Sequence, residues 1–205
     1  MFQSFMIESG ALFDILGWTY DTFFLQLSFA PIILATLGEV RRSDRFVASF
    51  ILCVMITVTI GAVLPAEGAA GLVGSDKVHL LFQGATPLPE LHALRDGTLR
   101  AVRLDEIEPV ISFPSLHCAV AYLVTAAFWP LRRARWAVVL LNTVMTVSAV
   151  THGAHYACDC VAGLLVAALS FHVAGRLRSW SEKLLARTHG AAVPTAAPAP
   201  AALVP

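Results

Sequence analysis

Long apolar stretches, rather than alternating apolar and polar positions, dominate the pattern of this sequence. Five of them approach the roughly 20 mostly apolar residues that a helix needs to cross a membrane. Such runs lack the alternation expected of barrel strands, and lipid admits only helices or closed barrels. We therefore predict an all-α, polytopic transmembrane helix bundle with about five spans, at residues 22–37, 46–64, 115–131, 136–150 and 158–173.

The rest of the chain divides around these spans. In residues 1–21, glycines and an aspartate interrupt the apolar positions, so we expect an interfacial helix, with a short or reduced extra span as the alternative. Residues 22–187 form the predicted membrane domain, which contains a long polar loop at residues 65–112. Residues 188–205 are rich in alanine and proline, which is typical of a disordered tail.

Basic residues follow alternate spans, and this predicts the orientation of the bundle. In five alternating helices, the segments after the first, third and fifth spans lie on one side of the membrane. All three segments are basic, so this side is cytoplasmic by the positive-inside rule, and the polar loop lies on the outer side. The basic residues are Arg41, Arg42, Arg45, Arg132, Arg133, Arg135, Arg176, Arg178, Lys183 and Arg187.

Composition supports lipid as the main solvent of the chain. Hydrophobic residues make up 57% of the sequence and charged residues 14%, whereas a soluble domain carries about a quarter charged residues. The mean hydropathy is +0.72. The formal net charge is +0, so no basic field would attract nucleic acid, and we expect no such partner. The pattern predicts no particular oligomeric state.

The segment FPSLH, at residues 113–117, opens the third span on the outer side. Pro114 and Ser115 suit the start of a helix. The N–H groups in the first turn of a helix have no internal partners, and they bind phosphate well. His117 follows at once, so the sequence places an imidazole beside a predicted anion-binding helix end.

The segment HGAHYACD, at residues 152–159, joins the fourth and fifth spans on the same side. His155 and Asp159 are four residues apart, so within a helix the carboxylate would lie one turn beyond the imidazole. It could then fix the tautomer of His155 and stabilise its cationic form. His152 has three open roles: orienting His155, binding substrate or capping the helix.

These two segments resemble the second and third motifs of the type 2 phosphatidic acid phosphatase superfamily, written P-S-G-H and S-R-x5-H-x3-D. They are most similar to the branch that includes the inositol phosphorylceramide synthases and their bacterial relatives. The resemblance covers about residues 91–163. Leu116 replaces the motif glycine, Ala149 stands in place of the motif arginine, and the first family motif, K-x6-R-P, is absent.

The resemblance implies a membrane lipid phosphatase that needs neither a metal ion nor another cofactor. His155 would attack a lipid phosphate monoester or diphosphate and form a phosphohistidine, with Asp159 orienting the ring. His117 would protonate the leaving alcohol. The alternative within the family is transfer of a phosphorylated headgroup to a second lipid. Either enzyme would be an integral protein of the bacterial inner membrane, with its active site facing the periplasm.

Because two motifs lack their basic residues, the cations that bind phosphate must come from elsewhere. Arg95 and Arg100 lie in the outer loop, and we expect both to bind substrate together with Ser115. Asp96-Gly97 is a typical turn sequence and would turn the chain beside Arg95.

Two other kinds of function compete with phosphoryl transfer. A metal site could use the histidines, cysteines and aspartate of residues 152–160, but positions 158 and 160 point about 200° apart on a helix. That reading also leaves the segment at residues 113–117 unexplained. A non-enzymatic transporter or membrane scaffold is the second rival. Transporters often show internal repeats and interrupted helices at the midplane, whereas the ionisable residues here fall at the ends of spans.

Overall fold

A computed structural model describes residues 10–64, 66, 68–69, 92–93, 96–98, 112–153 and 155–190. Across these residues the chain forms helices and no strands, which confirms the all-α prediction for this part of the sequence. The five helices are α1 (Gly10–Thr36), α2 (Val40–Val63), α3 (Leu116–Phe128), α4 (Arg135–Thr151) and α5 (Ala157–Gly190).

Helix α1 runs without a break through residue 21, where we predicted the boundary between an N-terminal helix and the first span. The buried side chains of Leu16, Tyr20 and Phe23 hold its first half against the bundle. This packing outweighs the weak helix propensity of Gly10 and Gly17. The position of residues 10–21 relative to the membrane stays a prediction.

Helices α2 and α5 are long and apolar enough to cross a membrane. Helices α3 and α4 contain 13 and 17 residues, fewer than the roughly 20 that a perpendicular span needs, so the five-span count stays a prediction. Many large apolar side chains face outwards from the bundle, which suits a lipid environment. They include Ile15, Phe24, Ile32, Ile51, Met55, Leu140, Val161 and Leu165.

Helix α5 is much longer than the predicted fifth span and reaches residue 190, within the segment predicted as a tail. Arg178 holds this extension to the bundle. Its guanidinium donates hydrogen bonds to the Arg41 carbonyl oxygen at 2.9 Å and to Asp44 at 3.2 Å, and it pairs with Glu182 one turn along. Residues 191–205 lie outside the described part of the chain.

Helix α3 lies at the centre of the bundle and contacts α1, α2, α4 and α5. Its side chains are apolar on nearly every face, and Ala119, Val120 and Leu123 are completely buried. A helix that is apolar all round belongs in a core. The central position of α3 therefore fixes the place of its first turn, where the FPSLH segment begins the helix.

The basic residues and the two histidine-bearing segments occupy opposite ends of the bundle. At one end, α2 meets the second half of α5, where Arg45 donates two hydrogen bonds to the Phe171 carbonyl oxygen. At the other end, the first turns of α3 and α5 meet the last turn of α4 and the first half of α1. The clustering of His117 with the 152–159 segment follows directly from this topology.

Candidate active site

The two histidine-bearing segments are joined by a backbone hydrogen bond. Ser115 is the N-cap of α3, and its Oγ accepts the Cys118 N–H at 3.5 Å. Its own N–H donates to the Asp159 carbonyl oxygen at 3.0 Å, and the preceding Phe113–Pro114 peptide bond is cis. The Ser115 side chain is completely buried. Its predicted contact with substrate stays a prediction, and its role in the structure is to cap the helix.

Gly163 allows α5 to approach the start of α3 this closely. A Cβ atom at this position would overlap the Ser115 carbonyl oxygen, and it would also crowd the Ser115 nitrogen at 3.3 Å. Only glycine can lie so near a neighbouring backbone. We did not predict this residue as functional. The available signal was a glycine one helical turn after Asp159, on the same face of the helix.

His155 and Asp159 lie side by side, as predicted, although α5 begins at Ala157 and His155 therefore precedes the helix. The distance from His155 Nδ1 to Asp159 Oδ2 is 3.7 Å, which is longer than a hydrogen bond. Both side chains are buried, and Nδ1 has no hydrogen-bond partner. A small ring rotation would bring this nitrogen onto the carboxylate.

Asp159 is itself held in place by its neighbours. Its Oδ2 accepts the Tyr156 N–H at 2.8 Å, and its Oδ1 accepts the Cys158 thiol at 3.4 Å. An acidic side chain in this position caps the first turn of α5 and is stabilised by the helix dipole. The carboxylate that faces His155 therefore has a fixed orientation.

His117 faces His155 across a short gap. The centroids of the two imidazole rings are 6.3 Å apart, and the ring planes make an angle of 56°. A phosphoryl group between the rings would be within reach of both. The structure thus brings together the three residues for which the sequence predicted catalytic roles, His117, His155 and Asp159.

Two aromatic residues of α1 pack on His117. The Tyr20 ring stacks on the imidazole, with centroids 4.0 Å apart and planes 14° from parallel, and the Phe23 ring lies at 4.3 Å. We predicted no role for either residue. No sequence spacing relates position 20 to position 117, so only the packing of α1 against α3 could have shown the contact.

His152 and Gly153 line the junction between α4 and α5. A Cβ atom on Gly153 would come within 2.8 Å of the Tyr20 ring and 3.0 Å of His155 Cδ2. The His152 side chain is completely buried. Its Nδ1 pairs with Thr151 Oγ1 at 2.9 Å, and its ring lies 4.3 Å from that of Phe13. The His152 Nε2 has no hydrogen-bond partner.

The arginine of the third family motif is replaced by Ala149, which cannot bind phosphate. Ala149 is completely buried and packs against Cys118 and Cys160, so this site has no room for a longer side chain. Arg95 and Arg100 lie outside the described residues. The predicted turn beside Arg95 is present: Gly97 has φ +75°, and Asp96 Oδ1 accepts the N–H and the hydroxyl of Thr98 at 2.9 and 2.6 Å.

A metal centre would need several ligands on one side of the site. In the described part of the chain, no group of three or more histidine, cysteine, aspartate or glutamate residues is placed to hold a metal ion. Cys158 is exposed whereas Cys160 is buried, so the two thiols face different surroundings, as the helical spacing predicted.

Comparison with known proteins gives one match. The sequence fits the family model described as the PAP2 superfamily over residues 1–173. No curated protein and no solved structure matches the chain. The matched region contains both histidine segments and all of α1 to α4.

Proposed function

Because the chain belongs to the PAP2 superfamily, whose members are phosphatases or phosphotransferases, we propose that it is a membrane lipid phosphatase that works through a phosphohistidine on His155. The observation that carries this proposal is that the His117 and His155 rings face each other with their centroids 6.3 Å apart, with Asp159 beside the second ring.

In the first step, His155 Nε2 attacks the terminal phosphorus, and the bond from this phosphorus to the leaving-group oxygen breaks. Asp159 faces the opposite ring nitrogen, where it holds the proton and stabilises positive charge as the new P–N bond forms. His117 donates a proton to the leaving lipid oxygen. The lipid alcohol departs from a monoester, or the lipid monophosphate from a diphosphate.

In the second step, water attacks the phosphohistidine and the P–N bond breaks. His117, now neutral, takes a proton from the water, and inorganic phosphate leaves. The N–H groups of Leu116 and His117 lie in the first turn of α3, where a helix has no internal acceptors, and they would bind the phosphoryl oxygens. We assign the remaining cationic stabilisation to Arg95 and Arg100.

The substrate would be a lipid phosphate monoester or diphosphate that enters from the outer face of the membrane. The outward-facing apolar side chains and the two helices long enough to span support a membrane location. The basic end of the bundle lies opposite the histidines, which by the positive-inside rule supports a periplasmic site in a bacterial inner membrane.

Transfer of a headgroup to a second lipid, as in the inositol phosphorylceramide synthases, is a second candidate. It uses the same phosphohistidine and differs in the acceptor. The stacking of Tyr20 and Phe23 on His117 favours it, since these rings shield the acid and base from bulk water. An apolar acceptor that brings its own hydroxyl group would suit such a surface.

The proposal is tested by phosphate release from phosphatidate, an isoprenyl phosphate and an isoprenyl diphosphate, using purified protein in the presence of EDTA. We expect EDTA-resistant release that falls by about 10³-fold or more in His155→Ala and His117→Ala. His172→Ala is the matched control, because His172 is exposed on α5, far from the site. Full activity of His155→Ala, or release abolished by EDTA, would contradict the mechanism.

A further inference from the structure

A groove of about 330 Å³ lies between α4 and α5 on the outer surface of the bundle. Both helices pack extensively on α3 and little on each other. Helix α3 therefore forms the floor of the groove, with Tyr122 and Thr125, and α4 forms the wall that carries Asn142. Thr143 and Val147 on this wall are exposed, so the groove is open to the surroundings of the bundle.

The side chain of Asn142 lines this groove and has no hydrogen-bond partner in the described part of the protein. The residue is only 3% exposed, and neither its Oδ1 nor its Nδ2 is bonded. Since both atoms are unpaired, this finding does not depend on which way the amide is rotated. Buried amides are almost always paired, and an unpaired one is costly in an apolar environment. Asn142 therefore indicates a ligand that brings both a donor and an acceptor.

The polar neighbours of Asn142 on α4 do not pair with its side chain. The hydroxyl groups of Thr143 and Thr146 donate to the carbonyl oxygens of Val139 and Asn142, at 2.8 Å in each case. Their protons are used within α4, so these hydroxyl groups offer the groove only acceptor oxygens. Among the described residues, no lysine, arginine, aspartate or glutamate lines the groove. The lining is thus polar without charge, and it suits a neutral ligand.

The groove begins close to the candidate active site. Leu164 lines it and also packs against Cys118 and Cys160. These two residues directly follow His117 and Asp159 in the sequence. From there the groove extends to the middle of α4, which in the proposed membrane orientation lies within the hydrocarbon layer. A charged phosphate is costly to bury at that depth, so the groove favours a lipid that has lost its phosphoryl group.

We propose that this groove binds a neutral lipid alcohol through its hydroxyl group. A hydroxyl group both donates and accepts hydrogen bonds, so it can accept from Asn142 Nδ2 and donate to Oδ1. The apolar side chains of Val139, Val147 and Leu164 contact the hydrocarbon chain. This inference rests on the proposed function for the source of the ligand. Such an alcohol is released when a lipid phosphate monoester transfers its phosphoryl group to His155, and it is also the acceptor in headgroup transfer.

The test measures the binding of lipid alcohols by native mass spectrometry, using the full-length protein released from maltoside micelles. The probes are dioctanoylglycerol and farnesol, which represent a glycerolipid and an isoprenyl product, each compared with its methyl ether. The ether retains the acceptor oxygen and lacks the donor. Asn142→Leu removes the amide at nearly the same volume. Thr57→Val is the matched control, because it removes a buried hydroxyl group from α2, which does not line the groove.

We expect the wild type and Thr57→Val to bind at least one alcohol about tenfold more tightly than its ether, and the preferred alcohol identifies the lipid class. Asn142→Leu should bind alcohol and ether alike. It should also unfold at a higher temperature than the wild type, because it removes a buried amide that has no partner.

Equal binding of alcohol and ether by the wild type, for both lipids, would overturn the site. This comparison needs no variant, so it stays decisive if Asn142→Leu does not fold. Unchanged preference for the alcohol in folded Asn142→Leu would overturn the role given to the amide. A lower unfolding temperature of this variant would do the same, since it would show that the amide is already paired in the free protein.

Binding is measured without turnover, so the two proposals fail separately. His155→Ala should lose phosphate release and still bind the alcohol as tightly as the wild type, because His155 does not line the groove. Loss of alcohol binding in this variant would place the ligand at the histidines and overturn the groove site. Absent phosphate release by the wild type with intact alcohol binding would remove the phosphohistidine mechanism and leave the groove site. Normal release without preference for the alcohol would do the reverse.

Discussion

The Tyr20 ring stacks on the His117 ring, with centroids 4.0 Å apart and planes 14° from parallel. The contact joins a residue of α1, near the start of the chain, to a candidate catalytic residue nearly a hundred positions later. It gives the first half of α1 a direct part in the site, because Phe23 and Phe13 on the same helix pack on His117 and His152.

Replacing Tyr20 tests whether this stacking matters for turnover. Tyr20→Phe retains the ring, so we expect kcat to stay within about twofold of the wild type. Tyr20→Ala frees His117 to rotate, and loss of its alignment should lower kcat by about tenfold or more. Phosphate release at saturating lipid phosphate measures both. Equal activity of the two variants would show that the ring does not position His117.

Gly163 should tolerate no side chain. Gly163→Ala places a methyl group on the Ser115 carbonyl oxygen, and the helices must separate to relieve the overlap. We expect a loss of roughly 2 kcal/mol in stability, seen as a lower unfolding temperature in detergent, together with reduced activity. Gly10→Ala is the matched control, because a Cβ there meets nothing within 4 Å. The same unfolding temperature for both variants would argue against the close contact.

Asp159→Asn separates the charge of this residue from its structural role. The amide oxygen of asparagine can still accept the Tyr156 N–H, so the first turn of α5 should form as before. The negative charge 3.7 Å from His155 Nδ1 is lost, and we expect kcat to fall on the order of 10²-fold with little change in unfolding temperature. Asp44→Asn, at the opposite end of the bundle, controls for charge removal. A variant of full activity would exclude Asp159 from the mechanism.

Arg45 should matter for stability and not for chemistry. Its guanidinium donates two hydrogen bonds to the Phe171 carbonyl oxygen, at 3.1 and 2.9 Å, and its central carbon lies 3.7 Å from the centre of the Phe171 ring. Lysine cannot make both contacts. We expect Arg45→Lys to lower stability by about 1–2 kcal/mol and to leave kcat unchanged, whereas Arg187→Lys should alter neither. Loss of activity in folded Arg45→Lys protein would contradict this separation.

The sequence was sufficient to predict the helical class and the meeting of His117 with His155 and Asp159. Alternating helices place residues that are distant along the chain at one depth, and the i,i+4 spacing of the second pair needs only local geometry. Both inferences depend on helical periodicity and on the alternation of the spans, and both can be read from the order of the apolar segments along the sequence.

The role of α1 could not be predicted in this way. Gly10, Asp14 and Gly17 resemble breaks in an apolar run, and for this reason the sequence predicts that the first element ends at residue 21. The structure shows one helix, because burial of Leu16, Tyr20 and Phe23 outweighs local propensity. Whether a polar residue interrupts a helix or faces a cavity depends on what packs opposite it, and local sequence does not contain that information.

The hydrogen bond from the Ser115 N–H to the Asp159 carbonyl oxygen has a consequence for movements of the bundle. It connects the first turn of α3, which we propose binds the phosphoryl group, with α5, the helix that follows the nucleophile. Gly163 packs the two helices into direct backbone contact. If helices of the bundle separate to admit the proposed lipid substrate, the first turns of α3 and α5 must move together. Opening would therefore occur on the α1 side, where the contacts to His117 are aromatic faces that can slide apart without breaking a hydrogen bond.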